Sequence, residues 1–216
     1  MKKNIAYIFL NGHLMGDINF YENYIKNNPG DFFCADGGYN HCKTLNIIPL
    51  EVWGDLDSIN NEDIKNLKDN KIPIIQFNKD KDFTDGELII ESIYKKNYEK
   101  IIIIGGLGGR MSHTLTNLSF IIKYQNTIFL TDKEEIFFVN KKHTLTDLKG
   151  ITISFIPFSS NVESLTLEGF KYPLLNHKLI LGSSICMSNI VSDNLALITY
   201  SKGYLIGIKE FFIDNL

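Results

Sequence analysis

The sequence has 216 residues, which is long enough for one large domain, or for a domain with a smaller partner, and for a buried core. Its net charge of −3, with lysine mixed evenly among aspartate and glutamate, provides no basic face and argues against nucleic acid as a partner. The three cysteines show no metal-ligand spacing and are expected to be reduced packing residues. The apolar run Ile5–Leu10 is too short for a signal-peptide core or a membrane span, which predicts a cytosolic protein without membrane contact.

Residues 1–132 alternate short β-branched runs with longer segments of helical apolar spacing. This rhythm predicts an α/β domain with a mostly parallel, Rossmann-like sheet and flanking helices. The predicted strands are Ile5–Leu10, Phe32–Ala35, Glu51–Gly54, Pro73–Phe77, Lys100–Ile104 and Thr127–Thr131. The predicted helices are Phe20–Asn27, Asn40–Asn46, Asn61–Asp69, Thr84–Lys96 and Thr114–Gln125.

Residues 133–216 show no helical period, and serine, glycine and asparagine interrupt the apolar runs at short intervals. This pattern predicts a second domain that is all-β, an antiparallel sandwich or barrel. Its predicted strands are Glu135–Asn140, Gly150–Ile156, Glu163–Leu167, Lys178–Leu181, Asn194–Tyr200 and Gly203–Ile208.

Glycines and carboxylates follow the first five strands of the α/β domain. The five segments are Asn11-Gly12, Asp36-Gly37-Gly38, Gly54–Ser58, Lys81–Asp85 and Gly105–Arg110. Ligands of an open parallel sheet bind beyond the carboxyl ends of the strands, where these loops converge. We therefore expect all five loops to share one rim and to form a binding site.

Four aspartates in these loops, Asp55, Asp57, Asp82 and Asp85, would bring like charges together, and a cation would relieve their repulsion. Oxygen ligands without histidine or cysteine favour Mg²⁺, which commonly bridges carboxylates to substrate phosphates. The four aspartates are therefore candidate metal ligands, and the implied substrate carries phosphates.

Structural explanations compete for the same residues. Asp55 and Asp57 are also compatible with an Asx turn, with Asp57 or Ser58 capping the next helix. Thr84-x-x-Glu87 is a capping box that starts a helix whatever the function, so Glu87 is not included in the site.

The segment Gly105–Arg110 lets the backbone approach a ligand closely, just before a helix N-terminus that favours anions. Arg110 is the sole arginine of the chain, and its planar guanidinium suits bidentate phosphate contact, although a surface ion pair is the alternative. Ser112 is expected to be the N-cap of the following helix. His113 either faces the rim or packs.

The order of these motifs resembles the thiamine pyrophosphokinase family over nearly the whole chain. The matching segments are Asp36-Gly37-Gly38, Gly54-Asp55-x-Asp57-Ser58, Lys81-Asp82-x-Thr84-Asp85, Gly108-Gly109-Arg110-x-x-His113-Thr114-Leu115-x-Asn117, Gly169–Leu174 and Ser188-Asn189. One departure is Ser112, where the family commonly has aspartate, so a possible acidic contact is missing.

The resemblance implies an ATP- and Mg²⁺-binding catalytic domain, 1–132, and a thiamine-binding domain, 133–216, in a homodimer with active sites near the subunit interface. It implies ATP contacts by a set of residues in the rim loops. These are Asp36, Gly37, Gly38, Thr84, Gly106, Gly108, Gly109, Arg110 and His113. Ser188 and Asn189 would contact thiamine, whereas the sequence alone favours a β-turn there.

The implied reaction is attack of the thiamine hydroxyl on the β-phosphorus of ATP, with AMP leaving. Asp55, Asp57, Asp82, Asp85 and Arg110 would be the catalytic residues, with Asp82 or Asp85 accepting the hydroxyl proton. A metal-dependent nucleotide-sugar glycosyltransferase would explain Asp55-x-Asp57 but not Lys81–Asp85 or Gly105–Arg110. A non-catalytic nucleotide- or thiamine-binding regulator would keep the pockets without turnover.

Overall fold

The fold was obtained as a computed structural model that describes residues 3–76 and 82–211. The chain divides into two compact units, Met1–Asp132 and Lys133–Leu216. No helix within the two described ranges is long and apolar enough to cross a membrane.

The described part of the first unit contains six strands and five α-helices in alternation. The strands are β1 (Lys3–Phe9), β2 (Asp31–Ala35), β3 (Glu51–Gly54), β4 (Ile74–Gln76), β5 (Tyr98–Ile104) and β6 (Thr127–Leu130). The helices are α1 (Ile18–Asn27), α2 (Tyr39–Thr44), α3 (Asn61–Asp69), α4 (Asp85–Lys95) and α5 (Met111–Lys123). Each predicted element overlaps one of these, and the predicted strand end at Phe77 lies outside the described residues.

The six strands of this unit form parallel pairs in the order β4-β3-β2-β1-β5-β6. The direction of winding reverses between β1 and β5, and a crevice opens beyond the carboxyl ends of strands at such a reversal. The centres of these two strands, Ala6–Phe9 and Ile101–Ile104, are fully buried. The loops that follow β1 and β5 therefore emerge from the buried core of the unit.

Three of the five helices begin with a side chain that accepts a hydrogen bond from the first turn. Asp17 caps α1, Asn60 caps α3 and Thr84 caps α4. Neither Asp57 nor Ser58 caps α3, because the chain continues to Asn60 before the helix begins. Such caps satisfy N–H groups that the helix itself leaves without partners.

The second unit contains eight strands within its described residues, 133–211. They are β7 (Glu134–Val139), β8 (Lys142–Thr146), β9 (Thr152–Pro157), β10 (Asn161–Glu168), β11 (Leu174–Ile180), β12 (Asn189–Ile190), β13 (Leu195–Thr199) and β14 (Leu205–Glu210). One group of neighbours runs β12-β9-β14-β7, and a separate sheet runs β11-β10-β13-β8, with antiparallel pairing throughout. The predicted fold class, an α/β sheet with helices followed by an antiparallel β domain, is confirmed, although β8 and β12 were not predicted.

All three cysteines are buried and free, as expected of packing residues. Burial raises the pKa of the Cys186 thiol to about 11 and also raises the pKa of Cys34. The thiolate is the reactive form of cysteine, so these thiols are poorly suited to nucleophilic or metal-binding roles.

Candidate active site

Three carboxylates meet beyond the ends of β2 and β3. Asp36, Asp55 and Asp57 each offer an oxygen atom, and these atoms all lie within 4.8 Å of one another. Asp36 and Asp55 are half-buried, whereas Asp57 is exposed. The group has only oxygen donors, which is the ligand chemistry that Mg²⁺ prefers.

The backbone after β2 is what brings Asp36 to this group. Asp36 adopts a left-handed conformation with φ of 45°, which turns the chain sharply into a short 3₁₀ helix over Asp36–Gly38. A Cβ on Gly37 would lie 2.2 Å from the Asn11 side chain, and one on Gly38 would lie 2.1 Å from the Phe9 carbonyl oxygen. Glycine is therefore required at both positions for the turn to pack against the end of β1.

Hydrogen bonds join the loop after β3 to Asp36. The Ser58 N–H donates to Asp36 Oδ1 over 3.2 Å, and the Asp57 N–H donates to Asp55 Oδ1 over 3.2 Å. The second bond is the Asx turn expected from the sequence. The turn and the clustering of carboxylates therefore occur together and do not exclude each other.

Asp82 and Asp85 do not join the carboxylate group that the described residues form. Asp82 is exposed, and Asp85 is half-buried in the first turn of α4. Thr84 accepts a hydrogen bond from the Glu87 N–H over 3.2 Å, and the Glu87 side chain is paired with Lys123. Glu87 is thus structural, as expected, and Lys81 of the same motif lies outside the described residues.

The glycine loop after β5 packs against the loop after β1. The Gly12 N–H donates to the Gly105 carbonyl oxygen over 2.7 Å, and a Cβ on Gly12 would lie 2.3 Å from that oxygen. Gly105 and Gly108 have φ of 70° and 76°, a left-handed region that glycine adopts without strain. The two loops cross in backbone contact at the reversal point of the sheet.

Arg110 lies at the N-terminus of α5 and contacts the His113 ring nitrogen Nε2 through its guanidinium. Both side chains are exposed, so His113 faces the rim. The expectation that Ser112 is the N-cap is wrong, because α5 begins at Met111 and Arg110 occupies the cap position. Arg110 provides no capping side-chain hydrogen bond, so the helix N-terminus is open to an anion.

These loops enclose a cleft of about 440 Å³, within the range of small-molecule sites. Seven of the predicted site residues line it. They are Asp36, Thr84, Asp85, Gly106, Gly109, Arg110 and His113. Gly37, Gly38, Asp55, Asp57, Asp82 and Gly108 do not contribute to this lining, so Asp36 alone belongs to both the cleft wall and the carboxylate group.

Several polar residues at or near the cleft were not predicted as site residues. Asn11, Ser58 and Asn117 line it, and His41 contacts the Gly12 carbonyl oxygen through Nε2 at 2.8 Å. Burial lowers the pKa of His41 from its ordinary value, although hydrogen bonds with backbone groups of Gly12 and Leu10 act in the opposite direction. Asn117 and Ser58 belong to the motifs quoted above, whereas His41 has no such signal.

In the second unit, Asn189 is buried and its side chain is engaged with backbone. Its Oδ1 accepts from the N–H groups of Tyr172 and Ile190 at 3.0 and 2.9 Å, and its Nδ2 donates to the Tyr172 carbonyl oxygen at 2.8 Å. Ser188 is exposed, with φ of 50°, and its N–H donates to Ser154 Oγ over 2.9 Å. Ser188 therefore lies in a turn, as the sequence favoured, whereas Asn189 is the first residue of β12.

Comparisons with known proteins agree with this two-part arrangement. The family description "Thiamin pyrophosphokinase, catalytic domain" matches residues 21–131, and "Thiamin pyrophosphokinase, vitamin B1 binding domain" matches residues 138–205. The thiamine pyrophosphokinase of Bacillus subtilis (strain 168) is 36% identical over 170 residues, which cover 76% of this chain and 79% of the relative. Thiamin pyrophosphokinase 1 of Caenorhabditis elegans is 28% identical over 225 residues, covering 94% and 88%.

Solved structures show the same fold along the whole chain. The crystal structure of the Bacillus subtilis enzyme matches with a TM-score of 0.82 and 28% identity, covering 97% of this chain and 100% of the other. The yeast thiamin pyrophosphokinase structure matches with a TM-score of 0.76, covering 98% and 87%, and at 20% identity it supports the fold alone.

Proposed function

The chain belongs to the thiamin pyrophosphokinase family, and we propose that it transfers the pyrophosphoryl group of ATP to the hydroxyl of thiamine, giving thiamine diphosphate and AMP. The observation that carries the proposal is the cleft of the first unit, where a carboxylate group, a glycine loop and Arg110 meet beyond parallel strands. This combination suits a metal-bound polyphosphate, because it provides both cation ligands and anion contacts.

The carboxylate group of Asp36, Asp55 and Asp57 fits Mg²⁺, since three oxygen atoms within 4.8 Å of one another include no nitrogen or sulfur donor. When bound, Mg²⁺ neutralises phosphate charge and polarises phosphoryl oxygens. These three residues would hold it. The contribution of Asp82 and Asp85 to the metal site stays a prediction.

Arg110 and the N-terminus of α5 are the groups that would bind the ATP phosphates. The guanidinium offers N–H donors in a fork that matches two phosphate oxygens, and the first turn of α5 offers backbone N–H groups next to it. Both attract negative charge without transferring a proton. Catalysis in this account rests on positioning and charge stabilisation.

The hydroxyl of thiamine would attack the β-phosphorus in line, forming a new O–P bond while the bond from that phosphorus to the oxygen of AMP breaks. The hydroxyl proton needs an acceptor, and Asp82 and Asp85 are the candidates. Asp85 lines the cleft and is half-buried, whereas Asp82 is exposed and is not part of the lining, so we favour Asp85. No side-chain nucleophile is required.

Ser188 and Asn189 are proposed to form part of the thiamine site. Asn189 uses three hydrogen bonds to hold the backbone of Tyr172 and Ile190, so it would act mainly by fixing the shape of the Tyr172 segment. Ser188 is exposed and its side chain would make the direct contact. The left-handed backbone at Ser188 directs this contact from a tight turn.

A homodimer is proposed as the functional state. Large apolar side chains in the second unit are exposed, including Leu175 at 85%, Leu181 at 60% and Leu195 at 60%. Exposed large apolar side chains are candidates for burial against a partner, and a second copy of the chain is the partner that the family resemblance implies. Light scattering should give twice the mass of one chain, and fractionation of cells should find the enzyme in the cytosol.

Incubation of the protein with ATP, MgCl₂ and thiamine, followed by separation of nucleotides, tests the function. AMP that forms only when thiamine is present supports the kinase. A glycosyltransferase would form no AMP under these conditions, and a regulator would bind ATP or thiamine without turnover. AMP formation that is independent of thiamine would contradict the proposal.

A further inference from the structure

We propose that His41 and Asn117 are positioning residues, each of which engages a backbone carbonyl oxygen of the glycine loops and keeps it from facing the phosphates in the cleft. The inference rests on the proposed function in taking ATP as the ligand of this cleft. It concerns residues that do not carry out the reaction themselves. Both residues act on the backbone wall of the cleft, which the loops after β1 and β5 form.

Part of that wall consists of glycine peptide groups, which carry no side chains. Gly12, Gly105 and Gly106 all line the cleft. Hydrogen bonds of 2.9 Å from the Leu10 N–H to the Ile104 carbonyl oxygen, and of 2.7 Å from Gly12 to Gly105, hold the two loops together. A glycine wall brings carbonyl oxygens as well as N–H groups close to a ligand, so the orientation of each peptide decides which sign of charge the ligand meets.

His41 determines the orientation of the Gly12 carbonyl. Its Nε2 lies 2.8 Å from that oxygen, and because a carbonyl oxygen only accepts, Nε2 is the protonated nitrogen. His41 comes from α2, is partly buried and is not among the described residues that line the cleft. The Gly12 carbonyl is therefore directed to a donor behind the wall.

Asn117 does the same for the second loop. Its Nδ2 donates to the Gly106 carbonyl oxygen over 2.7 Å from the second turn of α5. Asn117 is partly buried, and its own Oδ1 faces α4, since a Cβ on Gly86 would lie 3.9 Å from it. Each of the two loops beside the reversal point thus has one carbonyl oxygen bound by a helix side chain. The donor comes from α2 for the first loop and from α5 for the second.

The physical reason is that phosphate oxygens and carbonyl oxygens are both hydrogen-bond acceptors. A carbonyl without a donor would either remain unsatisfied or turn towards the phosphates in the cleft. In the second case it would face negative charge. A hydrogen bond from His41 or Asn117 satisfies the carbonyl oxygen and holds it away from the phosphates. Because burial lowers the pKa of His41, this residue acts on the carbonyl through its hydrogen bond and not through a positive charge.

The test compares His41→Leu and Asn117→Leu, which remove the donors, with His41→Gln, which keeps one. The matched control is Tyr7→Phe, because the Tyr7 hydroxyl donates to the Asn28 carbonyl oxygen over 2.6 Å in the same unit but away from the cleft wall. Calorimetry measures the affinity for a non-hydrolysable ATP analogue with Mg²⁺, and thermal unfolding measures stability. Steady-state kinetics gives KM for ATP and for thiamine separately.

We expect each leucine variant to weaken nucleotide binding by about tenfold, which corresponds to about 1.4 kcal/mol, while the KM for thiamine changes by less than about twofold. His41→Gln should bind nucleotide like the parent. Tyr7→Phe should lose stability without losing nucleotide affinity. Nucleotide affinity unchanged in both leucine variants, or lowered equally in Tyr7→Phe, would overturn the inference.

If His41→Leu does not fold, the nucleotide affinity of Asn117→Leu tests the inference in its place. His41→Gln shows whether a hydrogen-bond donor at position 41 is enough to keep the nucleotide affinity of the parent. Nucleotide binding is measured without turnover, so its outcome is separate from that of the proposed function. A parent protein that binds the analogue but forms no AMP from ATP and thiamine would refute the function and leave the positioning inference standing.

Discussion

Replacing Asp57 by asparagine should weaken Mg²⁺ binding and leave the protein folded. The ligand oxygens of Asp36, Asp55 and Asp57 lie within 4.8 Å of one another, and two unit charges at that distance in water repel by about 1 kcal/mol. Asp57→Asn removes two of the three pairwise repulsions. Asp57 is exposed, so the water value applies and salt reduces it further. The metal-free variant should be as stable as the parent or more stable by about 1–2 kcal/mol.

The bound state should respond in the opposite direction. A ligand at about 100 times its Kd stabilises a folded protein by about 2.7 kcal/mol, and for a chain of this size about 1 kcal/mol shifts Tm by about 2–4 °C. The parent should therefore gain several degrees in saturating MgCl₂. The variant should gain little, because a neutral amide is a poor Mg²⁺ ligand, and turnover should nearly disappear. The amide oxygen still accepts the hydrogen bond that Ser58 Oγ donates to Asp57 Oδ1.

Thermal unfolding in EDTA and in MgCl₂, beside the AMP assay, measures both effects. Asp193→Asn is the control, since it removes an exposed carboxylate from the second unit and leaves the carboxylate group intact. A Mg²⁺-dependent rise in Tm and a turnover equal to the parent's in Asp57→Asn would refute the metal assignment.

Three further outcomes are expected. Arg110→Lys should lower kcat by about tenfold or more, because an ammonium group cannot make two parallel contacts with phosphate oxygens; a kcat equal to the parent's would make Arg110 a surface residue. Asn189→Ala should raise the KM for thiamine more than that for ATP and lower the unfolding free energy by about 2–3 kcal/mol, since three hydrogen bonds are lost; unchanged thiamine affinity in a folded variant would leave Asn189 with a structural role alone. Burial lowers the pKa of His41 below its ordinary value of 6.5, so the unfolded chain binds a proton at a higher pH than the folded protein does, and the free energy of unfolding falls as the pH drops below about 6.5. The free energy of unfolding of His41→Gln should fall less steeply with decreasing pH, and a slope equal to the parent's would contradict this expectation.

The convergence of loops at one edge was predictable because parallel strands place their carboxyl ends together. The strands β1 to β6 had recognisable apolar runs, and glycines and aspartates followed five of them. The expectation of a site at this edge therefore depended on topology alone. It did not require knowledge of any side-chain conformation.

The membership of the carboxylate group was less predictable, because it depends on local backbone geometry. Asp36 reaches Asp55 and Asp57 through a left-handed turn that is rare for residues other than glycine. Spacing along the sequence does not reveal such a turn. Asp82 and Asp85 looked equally suitable, yet they belong to a different loop and do not join the group among the described residues.

The start of α5 and two short strands were not predicted, because the same residues are compatible with several backbone conformations. Ser112 is a good N-cap by residue type, but α5 begins two residues earlier than expected and places Arg110 at the cap with ψ of 134°. The strand β8 alternates exposed residues with partly or fully buried ones and pairs only with β13, and β12 has two residues. Such short strands are defined by their partners more than by their own apolar pattern.

The fate of the β-phosphate of ATP distinguishes pyrophosphoryl transfer from transfer of the γ-phosphoryl group alone. ATP labelled at the β-phosphate, incubated with Mg²⁺ and thiamine, should transfer its label to the thiamine product, with unlabelled AMP formed in equal amount. Transfer of the γ-phosphoryl group alone would instead leave the label in ADP. Label recovered in ADP, or released as free pyrophosphate whether or not thiamine is present, would contradict pyrophosphoryl transfer by this cleft.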